Sequence, residues 1–153
     1  MGNFEIYCDG SCKGNGKTNS RGGWGFVILH EGEIITKGSG AEENTTNNRM
    51  EMIALIEAVK TLLSFAEDSL ITCCVYTDSA YVHNCYKDKW YEGWQRNGWK
   101  TASRTPVKNK ELWEQIIPYF EDWRFCFLKV KGHNGVEYNE LVDKLAQEAA
   151  SDG

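Results

Sequence analysis

The sequence predicts an α/β fold, a five-stranded mixed sheet flanked by helices. Three observations lead there. Residues 4–39 hold three short alternating or apolar runs with brief connections, the pattern of an antiparallel meander. The run Ile71-Thr72-Cys73-Cys74-Val75-Tyr76-Thr77 is apolar, β-branched and too short for a helix, so it reads as a buried strand. Between and after these runs, apolar residues recur at helical spacing, so the later strands are separated by helices and run parallel to the first.

Taken in order, Phe4–Asp9 alternates and ends in an acid. Gly10–Gly23 is rich in Gly, Lys and Ser and reads as a loop. Gly23–Leu29 and Glu33–Ser39 are the second and third strands, joined at the turn signal Glu31-Gly32. Met52, Leu55, Ile56, Val59, Leu62 and Leu63 mark a helix that starts near Asn47 or Asn48 and runs to about Phe65. Strand 71–77 follows, then a helix over about 79–86 with Asp78 or Ser79 as its cap. A Trp-rich basic segment covers 87–110, with a helix over Lys110–Phe120 after it. Arg124–Val130 is the last strand. A glycine-flanked loop, Gly132-His133-Asn134-Gly135, leads to a helix over Asn139–Ala150. No repeat, linker or low-complexity tract divides the 153 residues, which are expected to form a single domain over 1–153.

Charge is unevenly spread. The chain carries a net −5, yet residues 87–110 hold seven basic and two acidic residues. An acidic body with one basic block can still attract a polyanion, because steering follows local potential. A solvated charged surface is the competing reading of the same block. No run approaches the length of a membrane span, and the N-terminus has no basic region followed by an apolar one. The six cysteines show neither C-x-x-C spacing nor a nearby His pair. They read as small buried hydrophobes in a reducing, cytoplasmic setting.

Asp9 ends the first strand and Asp78 the fourth. If these strands are parallel neighbours, the two carboxylates meet at one sheet edge, where α/β folds bind ligands. Glu51 borders the apolar stripe of its helix. With Asn48 as N-cap it would sit at the capping-box position, a role that competes with chemistry. Asp143 lies between Val142 and Leu145, and its plainer reading is a solvent-facing acid. Converging carboxylates repel one another unless a hard divalent cation compensates. Magnesium suits few carboxylates together with phosphate oxygens, and paired ions suit in-line displacement at phosphorus. The implied chemistry is metal-assisted phosphodiester hydrolysis.

Several motifs, in order, resemble the ribonuclease H family, in particular its bacterial type with a basic protrusion. They are Cys8-Asp9-Gly10-Ser11, Thr45-Thr46-Asn47-Asn48-Arg49-Met50-Glu51 and Tyr76-Thr77-Asp78-Ser79-Ala80-Tyr81-Val82. Trp94–Trp99, Pro106–Trp113, Val130–His133 and Asn139–Ala146 continue the series. The resemblance covers nearly the whole chain. It implies a ribonuclease H-like fold of order βββ-α-β-α-α-β-α, and endonucleolytic cleavage of the RNA strand of RNA/DNA hybrids to leave 5′-phosphate and 3′-hydroxyl ends. By motif position Asp9, Glu51, Asp78 and Asp143 are the catalytic, metal-binding acids. They would hold magnesium, two ions per site, with manganese as a substitute. His133 would move a proton or aid product release, which suits an imidazole of ordinary pKa.

Gly10, Ser11, Asn47, Asn48 and Ser79 border the acids and are the candidates for reading the RNA strand through its 2′-hydroxyls. Trp90, Trp94, Arg96 and Lys100 are the candidates for the DNA strand, although part of the tryptophan set is expected to be a small supporting core. The expected partner is the hybrid duplex. No membrane and no obligate protein partner are expected, and the protein is expected to be a monomer. Cys8 stands where many members carry Thr, and the first loop is longer and lacks the usual prolines. Three other readings compete: a catalytically silent hybrid-binding module, a transposase-like core, and a domain cut from a reverse transcriptase. The first requires a missing acid, and all four acids are present.

Overall fold

The structure is a computed structural model that describes residues 2–14, 19–66, 70–130 and 137–151. Five strands form one sheet in the order β3-β2-β1-β4-β5. They are β1 (Gly2–Lys13), β2 (Arg21–His30), β3 (Glu33–Glu43), β4 (Ile71–Thr77) and β5 (Phe125–Lys129). β1, β2 and β3 pair antiparallel, whereas β4 pairs parallel with β1 and β5 parallel with β4. The helices are α1 (Asn47–Ala66), α2 (Ala80–Asp88), α3 (Trp90–Asn97), α4 (Lys110–Phe120) and α5 (Glu137–Ser151). The expected mixed sheet is present, and the basic segment contributes a helix of its own, α3.

The largest departure from the sequence reading is the expected loop over Gly10–Gly23. β1 continues to Lys13 and β2 begins at Arg21, paired in register from Gly10↔Trp24 to Lys13↔Arg21. Gly14 sits in the turn with φ 69, whereas Gly10, Gly22 and Gly23 make room for neighbours. A Cβ on Gly22 would lie 2.5 Å from Met50 Cγ, and one on Gly10 2.5 Å from the Glu51 nitrogen. α1 therefore rests directly on the backbone of these strands.

α1 lies across β1 and β2 on one face of the sheet, with α2 and α4 completing that layer. Its buried stripe includes Met52, Leu55, Ile56, Val59 and Leu62, which pack with Ile6, Cys8, Val75 and Phe127. α5 covers β1, β2 and β3 on the opposite face. Its approach needs Gly23 and Gly25, where a Cβ would meet Ala146 O at 2.1 Å and Leu145 Cβ at 2.7 Å. Tyr7 and Tyr76 stack at 4.6 Å on this side, with Tyr138 beside Tyr7. Cys8, Cys73 and Cys85 are buried as expected, but Cys12, Cys74 and Cys126 are only partly covered.

Candidate active site

Register brings the acids together. Cys8 pairs with Thr77 as the last step of the β1–β4 ladder. Asp9 and Asp78 follow on adjacent parallel strands at the carboxyl end of β4, as ligand sites at such edges require. α2 begins immediately afterwards, and the cap is Ser79, whose Oγ accepts from Val82 N at 3.2 Å. Asp78 is thereby free of the capping role that competed for it.

Glu51 is free in the same way. The expected cap Asn48 is already inside α1. Thr46 precedes the helix, and its Oγ1 accepts from Arg49 N at 3.2 Å. Glu51 therefore lies beyond the capping-box position. The close seat of α1 on Gly10 carries its side chain to Asp9 instead.

Carboxylate oxygens of Asp9, Glu51 and Asp78 lie within 4.8 Å of one another. Asp9 is 3 % exposed and Glu51 9 %, whereas Asp78 opens to solvent. Burial first, and the Asp78 charge after it, push the Asp9 carboxyl up to about 8, against hydrogen bonds from Glu51 and from Gly10 N at 2.9 Å. Burial and the charge of Asp9 push Glu51 well above the usual carboxylate range. The deeper pair thus shares a proton in the absence of a cation. Glu51 Oε2 is buried without a hydrogen-bond partner. An orphaned carboxylate oxygen within a set of oxygen-only donors fits a hard divalent cation, which supplies the missing partner.

Asp143, on α5, is half-buried and lies outside the close trio, although it is within hydrogen-bonding reach of Asp9. Gln147 Nε2 donates to its Oδ2 at 3.0 Å. His133 lies outside the described residues. The last described residue before that segment, Val130, donates to Thr77 O at 2.8 Å, beside Asp78.

A groove of about 610 Å³ runs from the start of α1 to the basic segment. Asn47 and Asn48 line one rim, and Trp90 and Trp94 the other. Trp90, Trp94 and Trp99 are half-buried and lean on the main core, and Trp90 and Trp94 line the groove as well. Trp94 packs 5.6 Å from the fully buried Trp113, whose Nε1 donates to Tyr81 Oη at 3.1 Å. Arg96 and Lys100 are exposed, as are the other five cations of 87–110. Among the described residues, none of these seven forms an ion pair. Gly10 and Ser11 are half-exposed beside the acids.

Sequence reasoning passed over Tyr81, Thr101, Thr105 and Asn109, which line the groove with Lys108, one of the cations of the basic block. Tyr81 and Asn109 stood inside quoted motifs, but pattern alone did not place them opposite Asn47. Arg49 was missed too. It bridges Glu42 at 3.0 Å and Glu111 at 2.6 Å, tying the start of α1 to β3 and α4.

Comparison with known proteins agrees with this geometry. The RNase H family model matches residues 1–151. A curated ribonuclease H from Clostridium botulinum (strain Hall) is 46% identical over 144 residues, covering 94% of this chain and 93% of that protein. One from Thermoanaerobacter sp. (strain X514) is 45% identical over 147 residues, covering 94% and 87%. The crystal structure of LC9-RNase H1, a type 1 RNase H with the type 2 active-site motif, superposes with a TM-score of 0.82 at 28% identity, covering 99% of this chain and 73% of that one. LC11-RNase H1 in complex with an RNA/DNA hybrid gives a TM-score of 0.69 at 25% identity, covering 97% and 96%. The family match takes in the whole sheet, the three gathered acids and the basic segment alike, and the chain belongs to the ribonuclease H family.

Proposed function

We propose that the protein is an endoribonuclease that hydrolyses the RNA strand of RNA/DNA hybrids, leaving 5′-phosphate and 3′-hydroxyl ends. The observation that carries this reading is the gathering of Asp9, Glu51 and Asp78 within 4.8 Å, with a buried Glu51 oxygen lacking any partner. Membership of the family and a neighbour solved with a hybrid support the substrate.

Asp9, Glu51 and Asp78 would hold magnesium, with Asp143 completing the set from α5. Bound magnesium, two ions with manganese as a substitute, supplies positive charge that eases formation of the attacking hydroxide and departure of the 3′ oxygen. Asp9 and Glu51 give up their shared proton to become ligands, so loading releases a proton. Gly10 N holds Asp9 Oδ1, and the Ser79 cap fixes the turn that carries Asp78. On the resemblance, His133 moves a proton near neutral pH.

Asn47 and Asn48 present amides at the rim nearest the acids, with Gly10 and Ser11 beside them, a placement suited to 2′-hydroxyl recognition. Across the groove Trp90 and Trp94 offer apolar faces to deoxyribose. Arg96 and Lys100 face solvent where a DNA-strand phosphate backbone would run. Such contacts carry little base information, so cleavage is expected to be nearly sequence-independent. Residues 1–153 act as one domain, a monomer in the cytoplasm. No helix among the described residues is long and apolar enough to cross a membrane.

The test uses labelled RNA/DNA hybrid, double-stranded RNA and double-stranded DNA, each with magnesium or a chelator. Cutting only of the hybrid's RNA strand, only with metal, is the expected result. A hybrid bound but left whole would return the silent binding module to first place. Cutting of double-stranded DNA would favour the transposase-like class.

A further inference from the structure

The sheet is covered unevenly. α5 packs chiefly over β1, β2 and β3, and on that face of β4 it shares a cluster only with Tyr76, while Cys74 and Cys126 stay partly open to solvent. The side chains there come from alternate positions, Thr72, Cys74 and Tyr76 on β4 and Cys126 and Leu128 on β5. Cys74 and Cys126 are in-register partners on the two parallel strands. Their sulfurs lie 3.0 Å apart, and both residues are partly open to solvent.

We propose that Cys74 and Cys126 form a reactive dithiol, a modification site that closes to an intramolecular disulfide on exchange with a small-molecule disulfide and staples β5 to β4. Neighbouring strands lie roughly 4.8 Å apart, within the roughly 4.4–6.8 Å Cα separation that a disulfide spans. Closure therefore needs a side-chain adjustment and leaves the register intact. No other cysteine offers the same chemistry. Cys8, Cys73 and Cys85 are buried, and Cys12 directs its sulfur at Thr45 O, 3.4 Å away.

The exchange balances without metal. The Cys74 sulfur, as thiolate, attacks oxidised glutathione, forming a mixed disulfide and releasing one glutathione thiolate. Cys126 loses its proton to solvent and displaces the second glutathione thiolate. The protein loses two protons and two electrons, and the oxidant takes them up to become two thiols. Burial and the adjoining Cys74 push the Cys126 thiol up to about 11. Cys126 therefore rests as a thiol and gives up its proton only in the closing step.

The staple has a structural consequence because β5 is a short edge strand that, among the described residues, pairs with β4 alone. A cross-link between residues 52 positions apart restricts the unfolded chain substantially, and the melting temperature is expected to rise by about 5 °C or more.

The experiment incubates the full-length, folded protein with oxidised glutathione, followed by intact mass, thiol counting and peptide mapping. Loss of two thiols, a peptide link between Cys74 and Cys126, and a rise in melting temperature reversed by dithiothreitol are expected. Cys12→Ser should behave as wild type. Cys74→Ser and Cys126→Ser should form no internal link and show no rise, while melting cooperatively when reduced. A stable glutathione adduct on the wild type without the internal link would overturn the proposal. So would a link through Cys12, a link formed only in denaturant, or a link that leaves the melting temperature unchanged.

Discussion

Two buried carboxyls face each other at Asp9 and Glu51, and their protonation gives the metal-free protein a pH dependence of definite sign. Asp9 rises from 3.8 to about 8 on folding. Between those values the folded protein holds a proton that the unfolded chain has released. Stability therefore falls as pH increases through that window, and the raised Glu51 carboxyl adds to the fall with the same sign. Differential scanning calorimetry in chelator should show the melting temperature declining from pH 5 to 8. Glu51→Gln removes one of the opposed charges and should flatten that slope. Magnesium should raise the wild-type melting temperature at pH 8 and leave the variant nearly unchanged, because ligand binding to the folded state alone stabilises it. Asp78→Asn, at the solvent side of the same cluster, should abolish cleavage by more than the roughly 10–100-fold expected for a merely supporting partner. Hybrid binding, measured by anisotropy, should survive.

The helices act at a larger scale. α1 delivers Glu51 because Gly10 and Gly22 admit it, and α5 delivers Asp143 because Gly23 and Gly25 admit it. Gly23→Val would place side-chain atoms where Ala146 O already stands, 2.1 Å from the Cβ position. Thermal unfolding should show a loss of about 2–4 kcal/mol, with activity falling further than stability because Asp143 is displaced. α3 is different in kind. Its tryptophans lean on the core, but its one cation, Arg96, and Lys100 just beyond its end are exposed and form no ion pair among the described residues. Replacing Arg96 and Lys100 with Ala should leave the fold and kcat near wild type and weaken hybrid binding. If each contacts one phosphate, the slope of log K against log salt should fall by roughly 0.9 for each.

Across the whole molecule, an acidic body carries one basic stripe, a groove beside it, and the acid cluster at the groove's far rim. This layout draws a duplex in through its backbone and presents one strand to the acids, which explains how a chain of net −5 can serve a polyanion. Much of this was determined by sequence alone. Helical and strand periods marked the five strands and every helix but α3, because burial on one face imposes them. The helix expected over about 110–120 after Pro106 is α4, Lys110–Phe120. The three acids that the structure gathers, Asp9, Glu51 and Asp78, stand in motifs that the sequence displays. Local pattern misread places where a residue serves a distant neighbour. Gly10–Gly23 looked like a loop because glycine usually marks turns, whereas Gly10, Gly22 and Gly23 admit α1 and α5. Asn48 looked like a cap, but Thr46 takes that role once α1 is seated. Cys74 and Cys126 looked like ordinary buried residues, since nothing in a chain records which face of a sheet goes uncovered. Tertiary structure alone decided these points, because strand register and helix docking bring together groups that are dozens of residues apart.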